Sequence, residues 1–180
     1  MLDKSALPFA AAWTERAVPN FSPSSMLPEL SGEPLRVELK NSLGPHHAAT
    51  SIPRRLILLD RGVLTKPGDF ERILIHEIFH FAWVRLSNET RRDWRNLLAA
   101  ERDPGELGWS AEWRKLKLNP RDAREDSPKW KRYARESFCD SAAWLFAGLD
   151  QHDEFTLGLR SRRARQSWFQ KHFASRPIAI

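Results

Sequence analysis

Phe70-Glu71-Arg72-Ile73-Leu74-Ile75-His76-Glu77-Ile78-Phe79-His80-Phe81-Ala82-Trp83-Val84 is the stretch on which the reading of this chain turns. Apolar residues at 70, 73, 74, 78, 81 and 84 recur at helical spacing and build a broad apolar surface. Pro67-Gly68-Asp69 is a helix start signal, so a helix is expected over about residues 69–86. Inside it lies His76-Glu77-Ile78-Phe79-His80, the pattern HExxH. Two histidines four apart share one helix face, one turn apart. Both can reach a single tetrahedral ion, roughly 2.0–2.1 Å from each nitrogen. Glu77 projects about 100° further round the helix. There it can take a proton from a water at the ion's open position. The plain alternative is a helix with two ordinary histidines. The uncharged neighbours Ile75, Ile78, Phe79 and Phe81 weigh against it, because imidazoles embedded among apolar side chains are costly unless both find partners.

Two histidines need a third ligand. The extended pattern HExxHxxGxxH requires Gly and His three and six residues after the second histidine. Trp83 and Leu86 stand there, which excludes the metzincin arrangement. The ligand must come from farther along the chain. Tyr133-Ala134-Arg135-Glu136-Ser137-Phe138-Cys139-Asp140 offers two carboxylates four apart, on one face of an expected helix. Ser127-Pro128 opens that helix with a cap and a first-turn proline. Apolar spacing carries it to about Gly148. His46, His47, Glu101, Asp103, Glu106 and His152 compete for the same role, and surface ion pairs are the ordinary fate of residues such as Glu136 and Asp140.

HExxH followed by a second helix bearing ExxxD resembles the gluzincin metallopeptidases, the thermolysin-like clan. The resemblance covers about 30 residues on two helices. It implies that Glu136 is the third zinc ligand beside His76 and His80. It further implies that Asp140 accepts a hydrogen bond from His76, as metal-bound imidazoles usually donate their other N–H to a carboxylate. The fragment from Glu136 to Leu145 also resembles the equivalent helix of small bacterial repressor-cleaving peptidases with an ExxAN-type motif, with Cys139-Asp140 in place of Ala-Asn. Thermolysin-like enzymes have Asn before the ligand, where this chain has Arg135. The implied function is zinc-dependent hydrolysis of peptide bonds by a metal-activated water, with Glu77 as general base. The implied fold is a minimal, single-domain zincin-like form in which a small sheet lies beside the metal helix. Tyr133, one turn before Glu136, is the first candidate for a donor to the developing oxyanion, with His152 and Arg160 as rivals. A buried structural role is the plain reading of Tyr133.

Composition sets the remaining bounds. At 180 residues the chain suits one domain, with 41% hydrophobic residues. No apolar run approaches the ~20 residues that span a bilayer, and Met1-Leu2-Asp3-Lys4 does not open a secretory signal. A lone Cys139 excludes an intrachain disulfide and makes the cytoplasm the expected compartment. Cys139 itself reads as a small buried hydrophobe rather than a metal neighbour. The eight tryptophans, among them Trp83, Trp94, Trp113, Trp130, Trp144 and Trp168, read as core and cleft wall. The chain has 29 Lys or Arg against 23 Asp or Glu, a net charge of +6. From Phe155 to Ile180 there are six basic residues and no acid, so the tail alone accounts for that excess. Ala164, Trp168, Phe169, His172 and Phe173 form an apolar stripe within it. The tail is therefore expected to be a docked amphipathic helix over 159–176, with its arginines facing solvent.

The expected architecture is α+β and helix-rich, with a small sheet. Residues 1–34 read as a short helix at 5–17 followed by a Pro/Ser-rich wrap or linker. Residues 35–158 form the metal-bearing domain, and 159–180 the basic tail. Leu35 to Lys40 alternates as a half-buried strand, and Arg55 to Leu59 reads as a short apolar strand. A helix from Ser87 or Asn88 to about Arg102, a loop at 103–108 and a short helix at 110–116 connect the two metal helices. The expected partner is a peptide or protein substrate, with no membrane. A nucleic acid or acidic partner on the basic tail belongs to the second reading, a peptidase-like binding or regulatory module with little or no hydrolysis.

Overall fold

The computed structural model describes residues 27–174 and 177–180. The helix expected at 5–17 and most of the Pro/Ser-rich stretch lie outside these residues. The elements run β1 (Leu30–Ser31), β2 (Arg36–Lys40), β3 (Ala48–Ser51), β4 (Leu56–Asp60), a 3-10 turn (Arg61–Leu64), α1 (Asp69–Arg85), α2 (Asn88–Ala100), α3 (Trp109–Lys115), α4 (Pro128–Phe146), α5 (Leu159–Phe173) and β5 (Ile178–Ala179). This is the helix-rich α+β arrangement with a small sheet.

The central helix is α1. Gly68 provides its left-handed entry at φ 84°, a conformation that costs glycine little. Asp69 and Glu71 complement the positive end of its dipole. Its residues from Ile73 to Phe79 are buried on every side, because the sheet covers one flank and α4 the other. Ser87 and Ser127 cap α2 and α4 by accepting the backbone N–H groups of Thr90 and Trp130. Pro128 takes the first turn of α4, where its missing N–H is no loss.

Three strands form the main sheet in the order β2-β4-β3. β2 runs parallel to β4 and β3 antiparallel to it. The apolar run Leu56 to Leu59 makes β4 the buried centre. β3 was not expected from the sequence: Ala48-Ala49-Thr50-Ser51 lacks the bulky β-formers that mark a strand, and pairing with β4 compensates for weak local preference. Thr50 sits opposite Ile57, on the edge strand that packs against α1. A second small pair joins β1 to β5 in parallel, tying residues 30–31 to the end of the chain.

Helix α5 packs on α2 and α4. Phe169 stacks on Phe138 at 5.1 Å between centroids, and Trp168 and Phe173 enter the same core. Two expectations for this tail are corrected. Ala164 is exposed, and Arg165, expected in solvent, is fully buried. Arg165 lies three and four residues before Trp168 and Phe169, hence on their face of the helix, and buried carboxylates receive it there. Of the tryptophans read as core or cleft wall, Trp83, Trp94, Trp130 and Trp168 are buried, whereas Trp113 is exposed. Among the described residues no helix is long and apolar enough to cross a membrane.

Candidate metal centre

The two histidines of α1 face Glu136 of α4. His76 Nε2 lies 3.4 Å, and His80 Nε2 3.7 Å, from the same oxygen, Glu136 Oε2. Donors bound tetrahedrally at about 2.0–2.1 Å stand roughly 3.3–3.4 Å from one another. The two separations from Glu136 Oε2 are thus close to those of donors that share one ion. Arg135 donates Nε and Nη2 to the other oxygen, Oε1, at 3.1 and 2.9 Å. That contact turns Oε2 toward the histidines. Burial alone would raise the Glu136 carboxyl, but the two histidines and Arg114 outweigh it and hold the group well below the ordinary carboxylate range.

Behind the histidines the chain supplies an orienting layer. Asp140 Oδ1 lies 2.6 Å from His76 Nδ1, which leaves Nε2 free to face Glu136. Asp140 Oδ2 accepts the backbone N–H of Ala111 at 2.9 Å. The start of α3 comes this close only because residue 108 is glycine: a Cβ there would stand 2.3 Å from the Asp140 carboxyl carbon. Neither Gly108 nor Ala111 was singled out from the sequence, since a backbone donor carries no residue-type signal.

The general-base candidate Glu77 is also buried. Thr50 of β3 donates its hydroxyl to Glu77 Oε2 at 2.5 Å. Burial raises the Glu77 carboxyl above its usual value and the nearby carboxylates of Glu136 and Asp140 add to this, against the opposing pull of His76 and Thr50. The histidines split. Burial would lower His76, but Asp140, Glu136 and Glu77 surround it and raise it to about 10. Burial and the charge on His76 lower His80 to about 3. The surrounding carboxylates thus favour the charged form of His76, while burial favours the neutral form of His80.

Cys139 is fully buried in the hydrophobic core, as its reading as a small buried hydrophobe expects, and its thiol also lies beside the histidines. His76, His80 and Cys139 form a group whose ligand atoms lie within 4.8 Å of one another. The thiol, however, meets His80 at Nδ1, 3.4 Å away, whereas Glu136 meets it at Nε2. One ring cannot offer both nitrogens to one ion. Burial and the surrounding carboxylates push the Cys139 thiol well above its usual value, which disfavours the thiolate a metal needs. Cys139 thus stands at Nδ1 of His80 as Asp140 stands at Nδ1 of His76, while Glu136 faces the Nε2 atoms of both rings.

Tyr133 does not join this site. Its hydroxyl is buried and donates to Glu106 Oε1 at 2.5 Å, on another side of α4. The role of oxyanion donor expected for it is therefore withdrawn. His152 contacts Asp69 at 3.0 Å, and Arg160 is exposed on α5. The other competing ligands are also engaged elsewhere or remote. Glu101 and Glu106 bind Arg165, Asp103 accepts the N–H groups of Gly105 and Gly158, and His46 and His47 are exposed in the β2–β3 loop. No family model, no curated protein and no solved structure matches this chain.

Proposed function

We propose that this protein is a zinc-dependent metallopeptidase of the gluzincin kind, with His76, His80 and Glu136 as ligands and Glu77 as general base. The observation that carries this reading is the convergence of His76 Nε2 and His80 Nε2 on Glu136 Oε2, at 3.4 and 3.7 Å. A neutral-nitrogen pair with one carboxylate suits zinc and leaves a fourth position open. Zinc bound there would supply a water of lowered pKa and polarise a substrate carbonyl. Glu77 Oε1 takes the proton from the attacking water, while Thr50 steadies Oε2, and the same carboxyl returns the proton to the leaving amine. Its raised pKa makes it a better proton acceptor than an ordinary carboxylate. Asp140 keeps His76 in the tautomer that presents Nε2, and Arg135 keeps Glu136 turned inward. An extended peptide can add along the open edge of β3, in the manner of β-strand addition. We place the protein in the cytoplasm, where a lone buried Cys139 stays reduced.

The test is cleavage of a peptide library, followed by mass spectrometry, with wild type and Glu77→Gln in parallel. Gln is nearly isosteric but cannot accept the proton. The expected result is a loss of about 10²–10⁴-fold in rate with zinc content unchanged. Equal cleavage by both proteins would show that another base acts. Zinc retention with no cleavage by either would favour the binding-module reading. A further expected outcome concerns Asp140→Asn. It should weaken zinc affinity by roughly 10–100-fold in a chelator titration. Unchanged affinity in a folded variant would remove Asp140 from the site.

A further inference from the structure

Beside Glu136, α3 and α4 carry more positive charge than the metal site uses. From Arg114 to Arg135 the sequence has nine Lys or Arg and three Asp or Glu. Arg135 donates twice to Glu136 Oε1, and Arg114 Nη2 lies 3.7 Å from the same oxygen. Two guanidinium groups thus converge on one oxygen of a carboxylate whose other oxygen faces the histidines. Both are partly open to solvent, with side-chain exposures of 28% for Arg114 and 43% for Arg135. Each guanidinium has five donors in a planar fork that matches a carboxylate.

Next to Arg114, α3 presents apolar surface. Trp109 and Trp113 are 61% and 44% exposed, and Leu116, at the end of the helix, is 82% exposed. Of the five large exposed hydrophobic residues among those described, three lie here; the other two, Val84 and Leu159, are on separate helices. The two indoles stack at 6.1 Å, and the Arg114 guanidinium lies 5.7 Å from the Trp113 centroid. Glu136, Arg114, Trp113 and Trp109 therefore form one continuous strip from the metal site outward. Scattered exposed hydrophobics need no explanation, but a cluster that adjoins a site does.

We propose that this strip is the substrate-recognition surface and that it selects acidic peptides. A carboxylate next to the scissile bond meets Arg114 and Arg135, and a neighbouring aromatic or apolar side chain lies on Trp109 and Trp113. This inference rests on the metallopeptidase reading and adds the substrate class. The same carboxylate chemistry is present in an Asp or Glu side chain and in a peptide C-terminus. A nucleic acid fits less well, because Glu112 on α3 and Glu154, which accepts the Trp109 backbone N–H at 2.6 Å, interrupt the positive field a phosphate backbone would follow.

The test is fluorescence anisotropy on the zinc-loaded Glu77→Gln protein, which should bind peptides without cleaving them. Four fluorescein-labelled probes are compared: Gly-Ala-Phe-Glu amide, Gly-Ala-Phe-Gln amide, Gly-Ala-Phe-Gln free acid and Gly-Ala-Gly-Glu amide. Gly-Ala-Phe-Glu amide or the free acid should bind at least about tenfold tighter than the Gln amide, as a charge-assisted pair provides. Which of the two gains identifies a side-chain or a terminal carboxylate. Arg114→Gln should erase that gain, and Trp109→Ala should erase the advantage of Phe over Gly; both positions are at the surface, and circular dichroism checks their folding. Equal affinity for all probes, a preference that survives Arg114→Gln, or no binding up to about 1 mM would each overturn the proposal. A single-stranded oligothymidylate that binds tighter than every peptide, and loses affinity in Arg114→Gln, would overturn it in favour of nucleic acid. Zinc is assayed in the same samples. Zinc absent with the preference intact defeats only the metallopeptidase reading, and zinc present without the preference defeats only this one.

Discussion

Removing residues 159–180 is expected to leave a chain without a cooperative unfolding transition. The deletion takes Trp168, Phe169 and Phe173 out of the core, with Ile178 and Ile180 beside them. Each large apolar side chain contributes about 1.5–3 kcal/mol on burial, against a total stability of about 5–15 kcal/mol for an ordinary domain. It also removes Arg165. That guanidinium is fully buried and donates to Glu101 at 3.0 and 2.7 Å and to Glu106 at 2.9 Å. Glu106 is itself 0% exposed, and among the described residues Lys115, at 2.9 Å, is its one other cation. A buried carboxylate that loses its main partner costs about 3–5 kcal/mol.

Arg165→Met isolates this last term while keeping much of the volume. It is expected to lower the melting temperature by about 6–20 °C. The pH dependence follows from Glu106. Burial alone would raise its carboxyl, but Arg165, Lys115 and Tyr133 hold it below the ordinary value. Its folded pKa is therefore lower than its unfolded one. The pair contributes fully above about pH 4.3 and the contribution fades as the pH falls through the depressed value. A truncated chain that melts like wild type, or an Arg165→Met variant of unchanged stability, would refute this account of α5.

Wild-type protein is expected to bind about one zinc per chain, and Glu136→Ala to lose it as completely as His76→Ala or His80→Ala. Elemental analysis after gel filtration measures this directly. Full stoichiometry in Glu136→Ala, with loss in Cys139→Ala, would transfer the third position to the thiol. The proton on His76 makes a second measurable claim. Its pKa is raised to about 10 by Asp140, Glu136 and Glu77 against the effect of burial. The ring is therefore expected to carry a proton at neutral pH that a bound ion would displace. Calorimetry in buffers of different ionisation enthalpy should show about one proton released per zinc. Apparent affinity should rise as the pH rises across the neutral range. No proton release at pH 7 would mean that His76 is already neutral and that the carboxylates do not hold a proton there.

Local patterning was enough to place α1 and α4. The apolar spacing of 70–84, the start signal at Pro67-Gly68-Asp69 and the cap at Ser127-Pro128 mark α1 and α4 within a few residues of their ends. The i, i+4 pairs His76–His80 and Glu136–Asp140 follow from helix geometry alone, because 3.6 residues per turn puts each pair on one face. The pairing of one face with the other came from resemblance rather than from spacing. The strong alternation of 35–40 and the apolar run at 55–59 likewise sufficed for β2 and β4.

What depended on the tertiary structure is every contact whose second partner is far along the chain. Thr50 reaches Glu77 across 27 residues and His76 reaches Asp140 across 64. The Ala111 N–H that finishes Asp140 belongs to a backbone, and Tyr133 turned out to serve Glu106 because α4 directs it to another side. Arg165 is the instructive case. Its spacing from Trp168 and Phe169 marks the buried face, and its charge argues for solvent. Which prevails depends on whether carboxylates wait at that spot. Glu101 and Glu106 are brought there only by the packing of α5 against α2 and α4, since charge can be buried only where distant residues compensate it.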